Sequence, residues 1–190
     1  MMELLAKTSP AWIEQVLADF DSFLLDHASA ERKAAAMATS FVVQYPDKYL
    51  LHIPLIRLAR EELLHYQQVM ALVHKRKLVW ERDEKDPYIK GLLQHLCTDR
   101  DIRLLDRLIV GAVVEARGVE RFGLVGEHLS DEKLSRFYKR LSKSEANHVD
   151  LFLKLAGKYF TQEEIEHRLQ HWLVLEAQAM SAVAPRAALH

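Results

Sequence analysis

The sequence predicts an all-α fold: a four-helix bundle with a long crossover between its second and third long helices, and additional helices flanking it. Three observations lead there. Six Gly and five Pro in 190 residues leave few turn residues for the hairpins of a β-rich protein. Apolar residues recur at three- and four-residue spacing over stretches far longer than a strand. An apolar content of 49%, with 26 basic against 27 acidic side chains, suits a sizeable core in a single domain over residues 1–190.

Each element has its own signal. Ser9-Pro10 reads as a cap followed by proline at the first helical position, opening a short helix in which Trp12, Ile13, Val16, Leu17 and Phe20 share a face. An alanine-rich periodic run over 23–44 is the first long helix, stopped by Tyr45-Pro46-Asp47. The second covers 48–75, with Pro54 near its start or at a kink, because an interior proline removes a backbone donor. Periodicity weakens over 78–99, where Asp86-Pro87 marks a turn and 88–97 suggests a short helix within a crossover. The third long helix spans 100–129. Ser130, Asp131 and Glu132 then read as the cap and acidic first turn of the fourth, running to 159. Thr161-Gln162-Glu163-Glu164 is a capping box that starts a last helix, which Ala184-Pro185 ends.

Several function classes fall away. A net charge of −1 gives no global grip on nucleic acid, although clustered basic residues can still dock RNA. The first ten residues show no basic leader followed by an apolar stretch, and no segment reaches the roughly 18 apolar residues of a membrane span. A soluble cytoplasmic protein with no membrane partner is expected. The lone Cys97 builds neither a disulfide nor a Cys-x-x-Cys site, so a bound metal would take oxygen and nitrogen ligands.

The chemistry lies in a duplicated pattern. The first long helix carries Glu31 and the second Glu62-x-x-His65; the third carries Glu115 and the fourth Glu145-x-x-His148. The offsets are 84 residues for Glu31 to Glu115 and 83 for both Glu62 to Glu145 and His65 to His148, an internal repeat of helix pairs. Residues three apart share a helix face, so each Glu-x-x-His can offer a carboxylate and an imidazole to one point. A single Glu from each of two helices with Glu-x-x-His from two others is the ligand set of di-iron and di-manganese carboxylate bundles. Four carboxylates and two imidazoles without thiolate suit Fe or Mn, and iron if O2 is activated. Small residues around the glutamates, Ala28, Ala34 and Ala35 in one half and Gly111, Ala112 and Gly118 in the other, leave room for packed backbones.

With 16 Glu and 10 His, one Glu-x-x-His arises by chance, and the chain holds such a decoy. Glu164-x-x-His167 matches, yet Glu164 is explained as the capping-box residue. Tyr66, Met70, Phe122 and Phe152 at helical spacing read as core or pocket wall before a redox relay. Lys75-Arg76-Lys77, Arg100, Arg103, Arg107, Lys139, Arg140 and Lys143 are either solvated faces or a docking surface for a polyanion.

The stretches Leu58-Ala59-Arg60-Glu61-Glu62-Leu63-Leu64-His65 and Ser142-Lys143-Ser144-Glu145-Ala146-Asn147-His148 resemble those of the bacterial tRNA hydroxylase family, within the ferritin-like superfamily. The resemblance covers nearly the whole chain. It implies a ferritin-like fold and hydroxylation of the isopentenyl group of 2-methylthio-N6-isopentenyladenosine, next to the anticodon of tRNA. It also implies two Fe ions held by Glu31, Glu62, His65, Glu115, Glu145 and His148, with O2 as co-substrate and no catalytic residue beyond these ligands. Because no flavin, nicotinamide or iron–sulfur motif is present, the electrons would come from a separate electron-transfer protein or reductase. The rival readings are another activity on the same bundle, peroxidase or ferroxidase with iron storage, and a non-enzymatic helical adaptor. The oligomeric state stays open between a monomer and a small oligomer.

Overall fold

The computed structural model describes residues 2–80, 83 and 85–190; within them there are seven α-helices and no strand. The helices are α1 (Pro10–Ala18), α2 (Phe20–Gln44), α3 (His52–Lys75), α4 (Pro87–Leu93), α5 (Arg100–His128), α6 (Glu132–Ala156) and α7 (Gln162–Ser181), with a 3-10 turn at Tyr49–Leu51. The all-α expectation holds, as do four long helices and a connection between the second and third that carries a short helix. No helix among the described residues is long and apolar enough to cross a membrane.

The chain divides into two compact units. One holds Glu14–Glu84 and Arg186–Leu189; the other holds Met1–Ile13, Lys85–Pro185 and His190. The first unit is built on the packed α2–α3 hairpin, with Phe23, Leu24 and Phe41 of α2 and Leu55, Leu58 and Val69 of α3 all buried. The second is built on the α5–α6 hairpin with α4 and α7 packed beside it; Leu108, Ile109, Phe122, Tyr138, Phe152 and Trp172 form its interior. Each hairpin is thus one copy of the duplicated helix pair.

The caps account for the boundaries. Asp19 accepts from the Ser22 amide at 3.1 Å and starts α2 three residues before the expected position, so Phe20 belongs to α2 and not to the first helix. Pro54 sits in the first turn of α3, where a missing N–H leaves nothing unpaired. Asp86 caps α4, with Pro87 at its first position. The cap of α6 is Asp131, one residue past Ser130; its carboxylate accepts from the Lys133 and Leu134 amides at 2.8 and 3.1 Å. The capping box at Thr161 is present as expected.

Two glycines let α5 and α6 approach closely. A Cβ at Gly111 would lie 2.9 Å from the buried Phe152 ring, and one at Gly126 would lie 3.0 Å from the Lys139 amide nitrogen and 3.2 Å from the Ser135 carbonyl oxygen. At Gly126 the obstruction is backbone, which can yield only by moving the helix. Gly126→Ala is therefore expected to lower stability by about 1–3 kcal/mol, despite the better helix propensity of alanine. Urea unfolding checks this, and an unchanged midpoint would refute it.

Candidate metal centre

In the first unit, Glu31, Glu62 and His65 each present one ligand atom, and these atoms lie within 4.8 Å of one another. All three are buried, at 4%, 1% and 8% exposure. Their placement follows from the helices: Glu31 lies at mid-length of α2, and Glu62 and His65, one turn apart on α3, face it across the hairpin. His65 Nδ1 is 3.3 Å from Glu62 Oε2 and 3.6 Å from Glu31 Oε2.

His27 completes this half. It is fully buried one turn before Glu31, and its Nε2 shares a hydrogen bond with Glu31 Oε1 at 2.6 Å. The sequence reading passed over it, although the His27-x-x-x-Glu31 spacing on one helix face was the available signal. The repeat is broken here, since the residue 84 places on is Gly111, whose space is taken by the Phe152 ring.

In the second unit, Glu115 from α5 with Glu145 and His148 from α6 forms the equivalent triad, again with one ligand atom each within 4.8 Å of the others. Exposures are 9%, 3% and 2%. His148 Nδ1 lies 2.6 Å from Glu145 Oε2. Gly118 lies beside Glu145, whose Cγ would be in ordinary contact, at 3.7 Å, with an added Cβ.

Two carboxylates and an imidazole converging in a buried place fit a divalent metal ion, which supplies the positive charge that such a cluster needs. The electrostatics of Glu31 express that need. Burial pushes its carboxyl up to about 8, the neighbouring Glu62 carboxylate adds to the rise, and His65 opposes it. In the metal-free protein at pH 7 this group therefore holds its proton, and a metal ion must displace it. A carboxyl raised in the folded state favours folding at low pH, so the metal-free protein is expected to lose stability as pH rises from about 4.5 to about 8. Metal titration by calorimetry at pH 7, in two buffers of different ionisation heat, should show up to about one proton released at this triad, and none at pH 9. Equal proton release at both pH values would refute the assignment.

The other sequence candidates fall as follows. Glu164 and His167 are exposed; Glu164 accepts from the Thr161 hydroxyl at 2.7 Å and the Thr161 amide at 2.8 Å, and these bonds hold its carboxyl below the ordinary range. The decoy is a cap. Phe122 and Phe152 are buried core, whereas Tyr66 and Met70 are half-buried. Lys139, Arg140 and Lys143 are exposed on α6, while Arg76 donates to Asp21 at 2.5 Å and lies over the Phe20 ring.

The remaining buried charges of the second unit were missed altogether. Arg117 and Glu176 are both fully buried, with Arg117 Nε and Nη2 donating to Glu176 Oε1 at 2.9 and 2.7 Å and the Tyr88 hydroxyl donating to the same oxygen at 3.1 Å. Arg117 also donates to the Ala6 carbonyl at 2.7 Å and to Thr8 Oγ1 at 3.2 Å, and pairs with Glu120. Asp106, equally buried, accepts from Trp172 Nε1 at 2.9 Å and Arg168 Nε at 2.7 Å.

Comparison with known proteins adds the following. Residues 1–190 match the model of a family described as tRNA-(MS2IO6A)-hydroxylase (MiaE). A Pseudomonas putida protein named tRNA 2-(methylsulfanyl)-N(6)-isopentenyladenosine(37) hydroxylase is 43% identical over 158 residues, covering 83% of this chain and 77% of that protein. A Salmonella typhimurium protein of the same name is 36% identical over 123 residues, covering 65% of this chain and 45% of that protein. Among solved structures, a Synechococcus protein described as having aldehyde deformylating oxygenase activity superposes with a TM-score of 0.95 at 34% identity, over 100% of this chain and 96% of that one.

Proposed function

The chain belongs to the MiaE family of tRNA hydroxylases, and from that premise we propose that it hydroxylates the isopentenyl group of 2-methylthio-N6-isopentenyladenosine next to the anticodon of tRNA. It is an O2-dependent oxidoreductase on a ferritin-like all-α fold, as the resemblance of its motifs implied. The observation that carries the reading is the family match over the whole chain, on a sequence whose two hairpins each bury a Glu, Glu, His triad.

The iron ligands we assign are Glu31, Glu62 and His65 from one hairpin and Glu115, Glu145 and His148 from the other, with residues 1–190 acting as one di-iron domain. When bound, the pair of irons supplies the activation of O2 that no side chain provides. The balance is a C–H bond of the prenyl group, O2, two electrons and two protons, giving a C–OH bond and one water. The protein has narrower tasks. The buried triads keep water from the oxidising centre. His27 fixes the orientation of Glu31 through its 2.6 Å hydrogen bond. Proton exchange at Glu31 accompanies metal uptake. The prenylated nucleotide is splayed from its loop to reach the centre, with exposed basic residues such as Lys139, Arg140 and Lys143 available to phosphate. The two electrons come from a separate protein.

Mass spectrometry of tRNA nucleosides from cells with and without this protein tests the reading. The hydroxylated form of the prenylated nucleoside should vanish when the protein is removed and return with it; unchanged hydroxylation would refute the proposal. A long-chain aldehyde offered to the purified, iron-loaded protein is the discriminating control, because the Synechococcus relative is described by that activity. No deformylation is expected.

A further inference from the structure

Helix α3 carries Glu62 and His65 on its buried side and an uncovered apolar stripe on the opposite side. Ile53, Ile56, Leu63 and Leu64 are 58%, 41%, 50% and 51% exposed, and Arg57 and Arg60 stand exposed among them. Positions 53, 56, 60, 63 and 64 repeat at the three- and four-residue spacing of one helix face. Isolated exposed aliphatics need no explanation, but an ordered stripe on one helix does. Arg57 and Arg60 against the exposed Glu61 leave it net positive.

We infer that this face of α3 docks an acidic one-electron carrier of the iron–sulfur class, which delivers the two electrons each turnover requires in two successive encounters. In each encounter one reduced cluster is oxidised by one electron. The inference rests on the hydroxylase reading, which demands an external donor. Position is the first argument: the stripe backs Glu62 and His65 across a single helix, whose diameter with side chains is about 10–12 Å, so a carrier seated there lies one helix width from the ligands. Composition is the second. Aliphatic side chains with interspersed arginine match protein interfaces. A surface for RNA would need more cations than Arg57 and Arg60, and rings along it on which bases stack, whereas these six residues are aliphatic or arginine and the exposed ring of Tyr49 stands one turn before them. Size is the third. From Ile53 to Leu64 the face runs about 17 Å along the axis, roughly 200 Å² in projection. That is far below the ~800 Å² per partner of a stable complex and in keeping with brief redox encounters. Pairing of two copies through this face would also set Arg57 and Arg60 near the same residues of the twofold-related copy, like charge against like.

The probe is a plant-type ferredoxin, an acidic protein with one [2Fe–2S] cluster. Calorimetry of the oxidised ferredoxin with the metal-free protein should give salt-sensitive binding, weakened at least about tenfold in the Arg57→Glu/Arg60→Glu variant and in the Ile56→Ser/Leu63→Ser variant. With the iron-loaded protein, the second-order rate of reduction by reduced ferredoxin should fall by a similar factor. Iron content, melting temperature and reduction by dithionite should stay at wild-type values. Binding that is unchanged in both variants, or absent in the wild type, overturns the inference. So does selective loss of affinity for a prenylated anticodon stem-loop, or a wild-type dimer that the variants dissociate. Dithionite-driven hydroxylation of the prenylated stem-loop separates donor docking from the hydroxylase chemistry. If it yields no product while ferredoxin binding still responds to the variants, the hydroxylase reading fails and the docking face stands.

Discussion

Replacing Glu115 or His148 by alanine is expected to lower bound iron and reduce hydroxylation of the prenylated nucleoside by at least about 100-fold, the upper range for losing a mere supporting residue of a metal site. Each variant removes one of three donors from the buried α5–α6 triad. Glu164→Ala is the matched control, because Glu164 belongs to the same Glu-x-x-His pattern but spends its carboxylate on the Thr161 amide at the start of α7. That variant should retain iron and turnover and lose only its part in the capping box of α7. Elemental analysis and nucleoside mass spectrometry on the three proteins decide it. Equal losses in all three would mean that burial does not distinguish ligand from cap.

A comparable loss, in stability and not in chemistry, is expected at Glu176. Glu176→Ala leaves the Arg117 guanidinium fully buried with its principal counter-charge gone, and removal of one partner from such a pair costs about 3–5 kcal/mol. The Tyr88 hydroxyl loses its acceptor in the same step. Since Arg117 also holds the Ala6 carbonyl and Thr8, the segment before α1 should become protease-sensitive before the rest unfolds. The double variant Arg117→Met/Glu176→Leu should recover much of the loss, because the penalty comes from an unpaired charge and not from the absence of a pair. Urea denaturation of the single and double variants gives the numbers. A single variant as stable as wild type would show that water reaches Arg117.

The two buried Glu, Glu, His groups were legible in the sequence because each depends on spacing within a helix and on repetition between helices, both of which survive without coordinates. Glu31, Glu62 and His65 form one triad, and Glu115, Glu145 and His148 form its counterpart, as the register required. The helices were legible for the same reason, and their ends less so. Phe20 shares the apolar spacing of α1, so nothing but the Asp19 cap shows that the chain has already begun α2. Leu17 follows the same period and is nevertheless 42% exposed. Arg117, Glu176 and Asp106 were invisible because periodicity assigns every charge to solvent. What buries them is pairing with residues about 60 positions away, which no local pattern encodes. His27 falls between the two cases, detectable by its four-residue spacing from Glu31 yet outside the Glu-x-x-His template.

The divergence between His27 and Gly111 gives the two halves of the repeat different mechanical properties. An imidazole holds the Glu31 side chain in one orientation while the equivalent position of the other half is glycine, so under the proposed assignment the two triads are expected to fill at different metal concentrations. A sample carrying one ion per chain is then a single defined species with one vacancy, and not an equal mixture of empty and full molecules.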